Sequence, residues 1–315
     1  MKSEFVFVLY VDTRQNTNNK LLITKLQNPM SAILKIAIQK SGRLSEDSLN
    51  LIRESGVDFN KSDNKLTAKA FNFPVEFLFL RDDDIPGYVY DGVADIGIVG
   101  ENVFLEKGKT ARVVEQLGFS KCRLSIAVPK TFEYNSNQDL NNLNIATSYP
   151  KILGDFLKEK NINATIHEIS GSVEIAPNIG LAEAICDLVS SGSTLISNGL
   201  KEVEVILQSQ AILIAHEGLT AEKTAILDEL LFRMSAVRRA KNTKYIMLNA
   251  PNNSLDTIMK LLPGVKSPTI TPLAEEGWSS IQSVVKENEF WDVIGKLKTA
   301  GAEGIIVIPI EKIIQ

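Results

Sequence analysis

The chain has 315 residues, 44% of them hydrophobic and 23% charged, with a formal net charge of −4 at pH 7. That length accommodates two or three domains of ordinary globular composition, and the slight acidic excess gives no general attraction to nucleic acid or anionic lipid. Any anionic ligand must be held by a local cluster of donors.

Two cysteines, Cys122 and Cys186, and two histidines, His167 and His216, are widely spaced. They match no metal knuckle, disulfide scaffold or histidine-based triad, and the cysteines read as small core residues. Chemistry is left to carboxylates, cationic side chains, hydroxyls, backbone amides or a bound metal ion. Near the start, the apolar run Phe5 to Val11 is short and meets Asp12 and Arg14 without a small-residue cleavage site, which argues against export. No stretch reaches the roughly 18 apolar residues of a membrane span, so a cytoplasmic protein is expected. Met30 stands just before "SAILKIAIQ". Residues 1–29 are therefore expected to be an extension of doubtful structure, an upstream start or a disordered segment.

Strand and helix signals alternate from Ile33. Leu34, Ile36 and Ile38 recur at period two, as in a strand, and a helix follows the Ser41-Gly42 turn and ends near Gly56. "KLTAKAF" and "VEFLFLR" read as strands; a helix over about 84–94 then drops into a strand at 96–99. "CRLSIAVP", "LNIATS" and "ATIHEIS" read as strands, with "KILGDFLKEKN" as a helix between the last two. "VEVILQSQAILIAH" precedes a long helix at about 220–241. The last 73 residues follow the order βαββαβ, with helices marked by Leu255, Ile258, Met259 and Leu262 (ending at Pro263-Gly264) and by Phe290, Val293, Ile294 and Leu297. The alternation indicates α/β layers, and βαββαβ is the ferredoxin-like split unit.

Four stretches carry candidate chemistry. "QKSGRLS" (39–45) lies at a strand-to-helix junction, where exposed amides with Lys40 and Arg43 suit an anion; an N-capped helix start is the alternative. In "RDDDIPG" (81–87), Asp82, Asp83 and Asp84 follow a strand and suit Mg²⁺ or hydroxyls, while Asp84 equally suits a helix cap. Glu174 follows a serine-glycine turn in "SGSVEIAP", where a solvated carboxylate is the plainer reading. In "DLVSSGSTL" (187–195), amides around Ser191-Gly192-Ser193-Thr194 suit a concave phosphate nest, and Asp187 suits ribose hydroxyls. A capped helix at "STLISNGL" is the alternative. There is no Walker lysine or GxGxxG pattern.

Taken in order, "IAIQKSGRLS", "RDDDIPG", "DGVADIGIVGEN", "CRLSIAVP", "IATSYP", "GSVEIAP", "GLAEAICDLVSSGSTL" and "NGLKEVEV" resemble the ATP phosphoribosyltransferases. With "KYIMLNAP" and "LLPGVKSPTITPLA", the resemblance is to their long, self-regulated form and runs from about Ile33 to Ile314. It implies a two-lobed catalytic part similar to periplasmic binding proteins and a C-terminal ferredoxin-like regulatory domain. The expected limits are lobe I at 30–125 plus about 206–220, lobe II at 126–205, a connecting helix at 221–242 and the regulatory domain at 243–315. The implied reaction moves the phosphoribosyl group of 5-phosphoribosyl 1-diphosphate to N1 of ATP adenine and releases diphosphate. Mg²⁺ would be carried mainly by substrate phosphates. Arg43, Glu174 and Asp187 are the implied catalytic residues; Glu174 and Asp187 face the ribose and Ser190, Ser191, Gly192, Ser193 and Thr194 the 5′-phosphate. Lys40, Ser41, Gly42, Arg43, Arg81, Asp82 and Asp83 would serve the diphosphate and nucleotide. L-Histidine would inhibit by binding near Asn249, Ser267, Thr269 and Ala302, in a homo-oligomer that is a hexamer or a dimer. A solute-binding protein and a catalytically silent regulatory paralogue are the rival readings.

Overall fold

The computed structural model of the chain describes residues 32–62, 65–262, 264 and 267–314. The expected extension at 1–29 and the helix-ending Pro263 lie outside them.

The first sheet has the order β2-β3-β1-β4-β11-β5. Its strands are β1 (Leu34–Gln39), β2 (Thr67–Lys69), β3 (Val75–Leu80), β4 (Ile96–Gly100), β5 (Arg112–Gln116) and β11 (Ala211–Ala215). β1 runs parallel to both β3 and β4. Alternation along β1 sends Leu34, Ile36 and Ile38 into one core and Ala37 into another, so the sheet is covered on both faces. Helices α1 (Arg43–Glu54) and α6 (Ala221–Ala240) close the first face, through Leu49 and Ile52 and through Ile226, Leu230 and Met234. The long helix is thus more than a connector. Helix α2 (Ile85–Tyr90) lies on the other face, with Ile85 and Val89 buried beside Val99 and Ile214. Helix α3 (Glu101–Lys107) follows β4 directly.

The second sheet has the order β10-β6-β9-β7-β8. It comprises β6 (Cys122–Pro129), β7 (Asn144–Thr147), β8 (Thr165–Glu168), β9 (Ala184–Val189) and β10 (Leu200–Ser209). Helix α4 (Pro150–Glu159) buries Leu153 and Leu157 against one face with Leu124 and Ile126. Helix α5 (Ser193–Ser197) and the turn Val173–Ile175 cover the other, with Ala127, Ile185 and Val189.

The C-terminal unit consists of β12 (Thr243–Pro251), α7 (Leu255–Leu261), β13 (Thr269–Pro272), β14 (Trp278–Lys286), α8 (Phe290–Thr299) and β15 (Glu303–Pro309). Its antiparallel sheet has the order β13-β14-β12-β15. That is the ferredoxin-like arrangement expected, with both helices sharing its core through Ile258 and Leu297.

Several local expectations shift. The expected helix at 84–94 is a 3₁₀ turn at Asp82–Asp84 followed by α2, which Gly92 stops at φ 69°. Asp84 precedes α2 but makes no side-chain capping bond. The run "VEVILQSQAILIAH" divides at Gln210, because β10 joins the second sheet and β11 the first. β6 pairs with β9 and β10 along its length, so it belongs wholly to the second sheet. The crossings between lobes therefore fall between β5 and β6 and at Gln210, rather than at 125 and 206.

At Gly97 a Cβ would stand 2.6 Å from Ile85 Cγ2 and 2.9 Å from Val89 Cγ2. The missing side chain is what lets α2 seat on β4. Gly97→Ala is expected to cost about 1–3 kcal/mol by overpacking, measured as a lower urea midpoint with an unchanged slope.

Candidate active site

At the end of β9 the chain leaves the second sheet through Ser190, Ser191 and Gly192. Gly192 adopts a left-handed conformation (φ 81°) that turns it into α5. The helix of the alternative reading does form, over Ser193–Ser197 with Gly192 at its N-cap and no side-chain cap. Ser191 Oγ and Ser193 Oγ lie 3.0 Å apart. Asp187 sits on β9 opposite Ser125 of β6. Burial pushes its carboxyl above the ordinary carboxylate value, and the Glu174 charge adds to the rise; the Leu188 amide, donating to Oδ1 at 2.8 Å, opposes it. Glu174 stands in the turn Val173–Ile175, after Ser172 in a left-handed conformation (φ 50°), and that turn packs with β9 and α5 in one core. Two carboxylates and a hydroxyl-rich turn therefore meet at one strand end.

Across from them, the first lobe contributes Asp82 and Asp83, with Asp83 Oδ2 3.4 Å from Lys107 Nζ. The lobes meet at Tyr149. Burial drives its phenol well above the usual range, and the charges of Asp187 and Asp82 push in the same direction. Asn102 Nδ2 donates to Tyr149 Oη at 3.0 Å, and Ser209 Oγ donates to Asn102 Oδ1 at 2.9 Å. Glu106 accepts from the Lys151 and Ile152 amides at 2.8 and 3.0 Å. Sequence reasoning did not single out Tyr149, Asn102 or Glu106. For Tyr149 and Asn102 the signal was their place at strand-to-helix junctions within "IATSYP" and "GEN"; Glu106 lies one turn further along α3.

On the first lobe, Lys40, Ser41 and Gly42 share a cavity of about 300 Å³ with Ser45, Lys61 and Lys65, and with the carboxylate of Glu46. Gly42 precedes α1 at φ 95° without a side-chain cap, so helix amides and lysines face the same space, a setting that favours an anion. Lys61, also unforeseen, donates to the Lys40 carbonyl at 2.6 Å and lies 5.0 Å above the Phe79 ring. Arg43 lies outside this lining; its side chain is 74% exposed, with Nε 4.0 Å from Asp47. Arg81 is exposed at the head of the Asp82–Asp84 turn.

The family model for ATP phosphoribosyltransferase matches residues 81–236, and that for the HisG C-terminal domain matches 240–312. An ATP phosphoribosyltransferase of Cytophaga hutchinsonii is 66% identical over 286 residues, which is 91% of this chain and 100% of the relative. The chain belongs to the ATP phosphoribosyltransferase family. A second ATP phosphoribosyltransferase, from Parabacteroides distasonis, is 58% identical over 90% of this chain and 100% of its own length. Among solved structures, the ATP phosphoribosyl transferase (HisG:HisZ) complex from Thermotoga maritima aligns with a TM-score of 0.55 and 26% identity. The alignment covers 64% of this chain and 98% of that one. Membership makes the protein an enzyme of the phosphoribosyltransferase class.

The four positions named for histidine lie on different elements of the C-terminal unit, with Asn249 paired to Glu303 beside Ala302. Thr269 is on the edge strand β13 and Asn249 on β12, with β14 between them. Ala302 is 6% exposed, part of the domain core, and Ser267 lies in the exposed segment before β13. Among the described residues, no group of three His, Cys, Asp or Glu side chains is arranged to hold a metal ion, and no helix is long and apolar enough to cross a membrane.

A carboxyl whose pKa rises on folding stabilises below the ordinary value, 3.8 for Asp, and loses that contribution as pH rises through its folded value. Ionised Asp187 is therefore a cost to the fold at neutral pH. Asp187→Asn is expected to leave the thermal midpoint unchanged or higher near pH 7, with the difference shrinking towards about pH 4. Paired melting series across that range check it; a lower midpoint at neutral pH would count against the burial argument.

Proposed function

We propose that the chain transfers the 5-phosphoribosyl group of 5-phosphoribosyl 1-diphosphate to N1 of the adenine of ATP, the first step of L-histidine biosynthesis. The observation that carries this reading is the meeting of Glu174, Asp187 and the Ser190–Thr194 turn at the end of β9, with Asp82 facing them from the first lobe. The two carboxylates accept from the ribose hydroxyls. The turn, with its hydroxyls and the amides that follow Gly192, receives the 5′-phosphate. Lys40, Ser41 and Gly42, in the cavity with Lys61 and Lys65, hold diphosphate or nucleotide phosphates. Arg43, exposed at the mouth of α1, swings from Asp47 to the departing diphosphate; Arg81, Asp82 and Asp83 line the nucleotide side.

Adenine N1 carries its own lone pair, so no side chain has to generate a nucleophile. Its bond to the anomeric carbon forms as the bond from that carbon to the diphosphate oxygen breaks. Alignment of the two substrates contributes up to about 7–11 kcal/mol, and the cationic groups offset charge gathering on the leaving oxygens. Mg²⁺ suits this oxygen-rich site and, when bound mainly to substrate phosphates, supplies further charge neutralisation.

The C-terminal domain is read as the histidine sensor, acting through a homohexamer or dimer. Because Asn249, Ser267, Thr269 and Ala302 lie on different elements of the domain, the inhibitor would touch only some of them from one chain. Histidine can inhibit only by binding a less active state more tightly. The enzyme is read as cytoplasmic, as its substrates require.

The deciding experiment follows diphosphate release or adduct absorbance with ATP and 5-phosphoribosyl 1-diphosphate, with and without histidine. Turnover that histidine suppresses is expected. No turnover by folded protein would favour a silent paralogue, and turnover indifferent to histidine would remove the regulatory reading alone. Thr194→Ala is expected to raise KM for 5-phosphoribosyl 1-diphosphate about tenfold, the scale of one hydrogen bond to a charged group, while histidine binding stays unchanged by calorimetry.

A further inference from the structure

Arg123, at the start of β6, and Glu202, on β10, belong to motifs that the reaction leaves without a role. Their side chains are 28% and 24% exposed. Arg123 Nε and Nη2 grip the two carboxylate oxygens of Glu202, and Nη1 donates to the Ser190 carbonyl at 3.1 Å. Ser125 Oγ donates to Glu202 Oε1 at 2.7 Å. Ser125 is the ladder partner of Asp187, and Arg123 that of Val189, the last residue before the turn. A single network therefore runs from the strand position of Asp187 through Ser125, Glu202 and Arg123 to the first residue of the turn.

We propose that Arg123, locked by Glu202, is a positioning residue that sets the orientation of the Ser190–Thr194 turn for the 5′-phosphate. The inference rests on the phosphoribosyl-transfer reading above. In a trans peptide the C=O and the following N–H point in opposite directions. Holding the Ser190 carbonyl to Arg123 therefore also fixes the direction in which the Ser191 amide donates. The turn has little else to hold it: its residues are largely exposed, α5 has no side-chain cap, and Ser191 and Ser193 bond each other. The task needs a guanidinium, because its planar fork serves Glu202 with two donors and still has a third for the carbonyl. The Arg123 contact is also the leading reason the Glu202 carboxyl lies below its ordinary value, so the grip persists through neutral pH.

The test compares wild type, Arg123→Lys, Arg123→Ala and Glu202→Gln for KM of each substrate, kcat, histidine inhibition and thermal midpoint. Arg123→Lys and Arg123→Ala are expected to raise KM for 5-phosphoribosyl 1-diphosphate about tenfold or more, with KM for ATP and histidine inhibition unchanged. Glu202→Gln, which keeps the shape but weakens the lock, is expected to fall between them and wild type. Millimolar guanidinium is expected to restore part of the loss in Arg123→Ala. Unchanged KM for 5-phosphoribosyl 1-diphosphate in folded Arg123→Lys, or an equal rise for both substrates, would overturn the positioning role. If neither arginine variant folds, Glu202→Gln decides by the same criterion. Absence of turnover in wild type would instead overturn the phosphoribosyl-transfer reading, and this inference with it.

Discussion

A helix begins with backbone amides that have no partner in the preceding turn. At α4, which opens on Pro150 and has no capping side chain of its own, two of these amides are taken up by Glu106 of the first lobe. A carboxylate at a helix N-terminus is favoured by both its hydrogen bonds and the helix dipole. The bond pair thus satisfies a local requirement of one lobe with a group from the other. Everything in the cleft depends on that closure. Asn102, one turn earlier on α3, meets Tyr149 beside α4, and Asp82 and Asp187 come to face the same phenol from opposite lobes.

Much of the architecture was legible in the sequence because apolar residues repeat with the period of the element they occupy. Leu34, Ile36 and Ile38 line one face of β1, and Ile258 and Leu297 lie inside the C-terminal unit as their helical spacing implies. The break at Gln210 was not legible, since buried strand residues flank it on both sides and which sheet each strand joins is a tertiary choice. α3 and β5 were missed for a related reason: each is short, and their burial is set by neighbours distant in sequence.

The candidate site was legible at its strand ends, where loops carry small and charged residues. The neighbours that give those residues their properties were not. The Glu174 charge acting on Asp187, the reach of Lys61 to Lys40 and the grip of Arg123 on Ser190 all join segments far apart in the chain. The same limit applies to the positions named for histidine. A sequence motif places Asn249 and Thr269 in one domain but carries no information on the strand that separates them.

The passage of the chain at Gln210 also settles how the parts are coupled. Beyond it, β11 completes the first sheet, α6 packs on that sheet, and the C-terminal domain follows α6 almost at once. The Ile313 amide returns to the Ala236 carbonyl of α6, so the domain is tied back to the same lobe, and Arg238 holds that helix to Glu115 of β5. Mechanically, the C-terminal domain and the first lobe form one arm through α6, and the second lobe is the other. The arms communicate along two backbone crossings and across the α3–α4 contact.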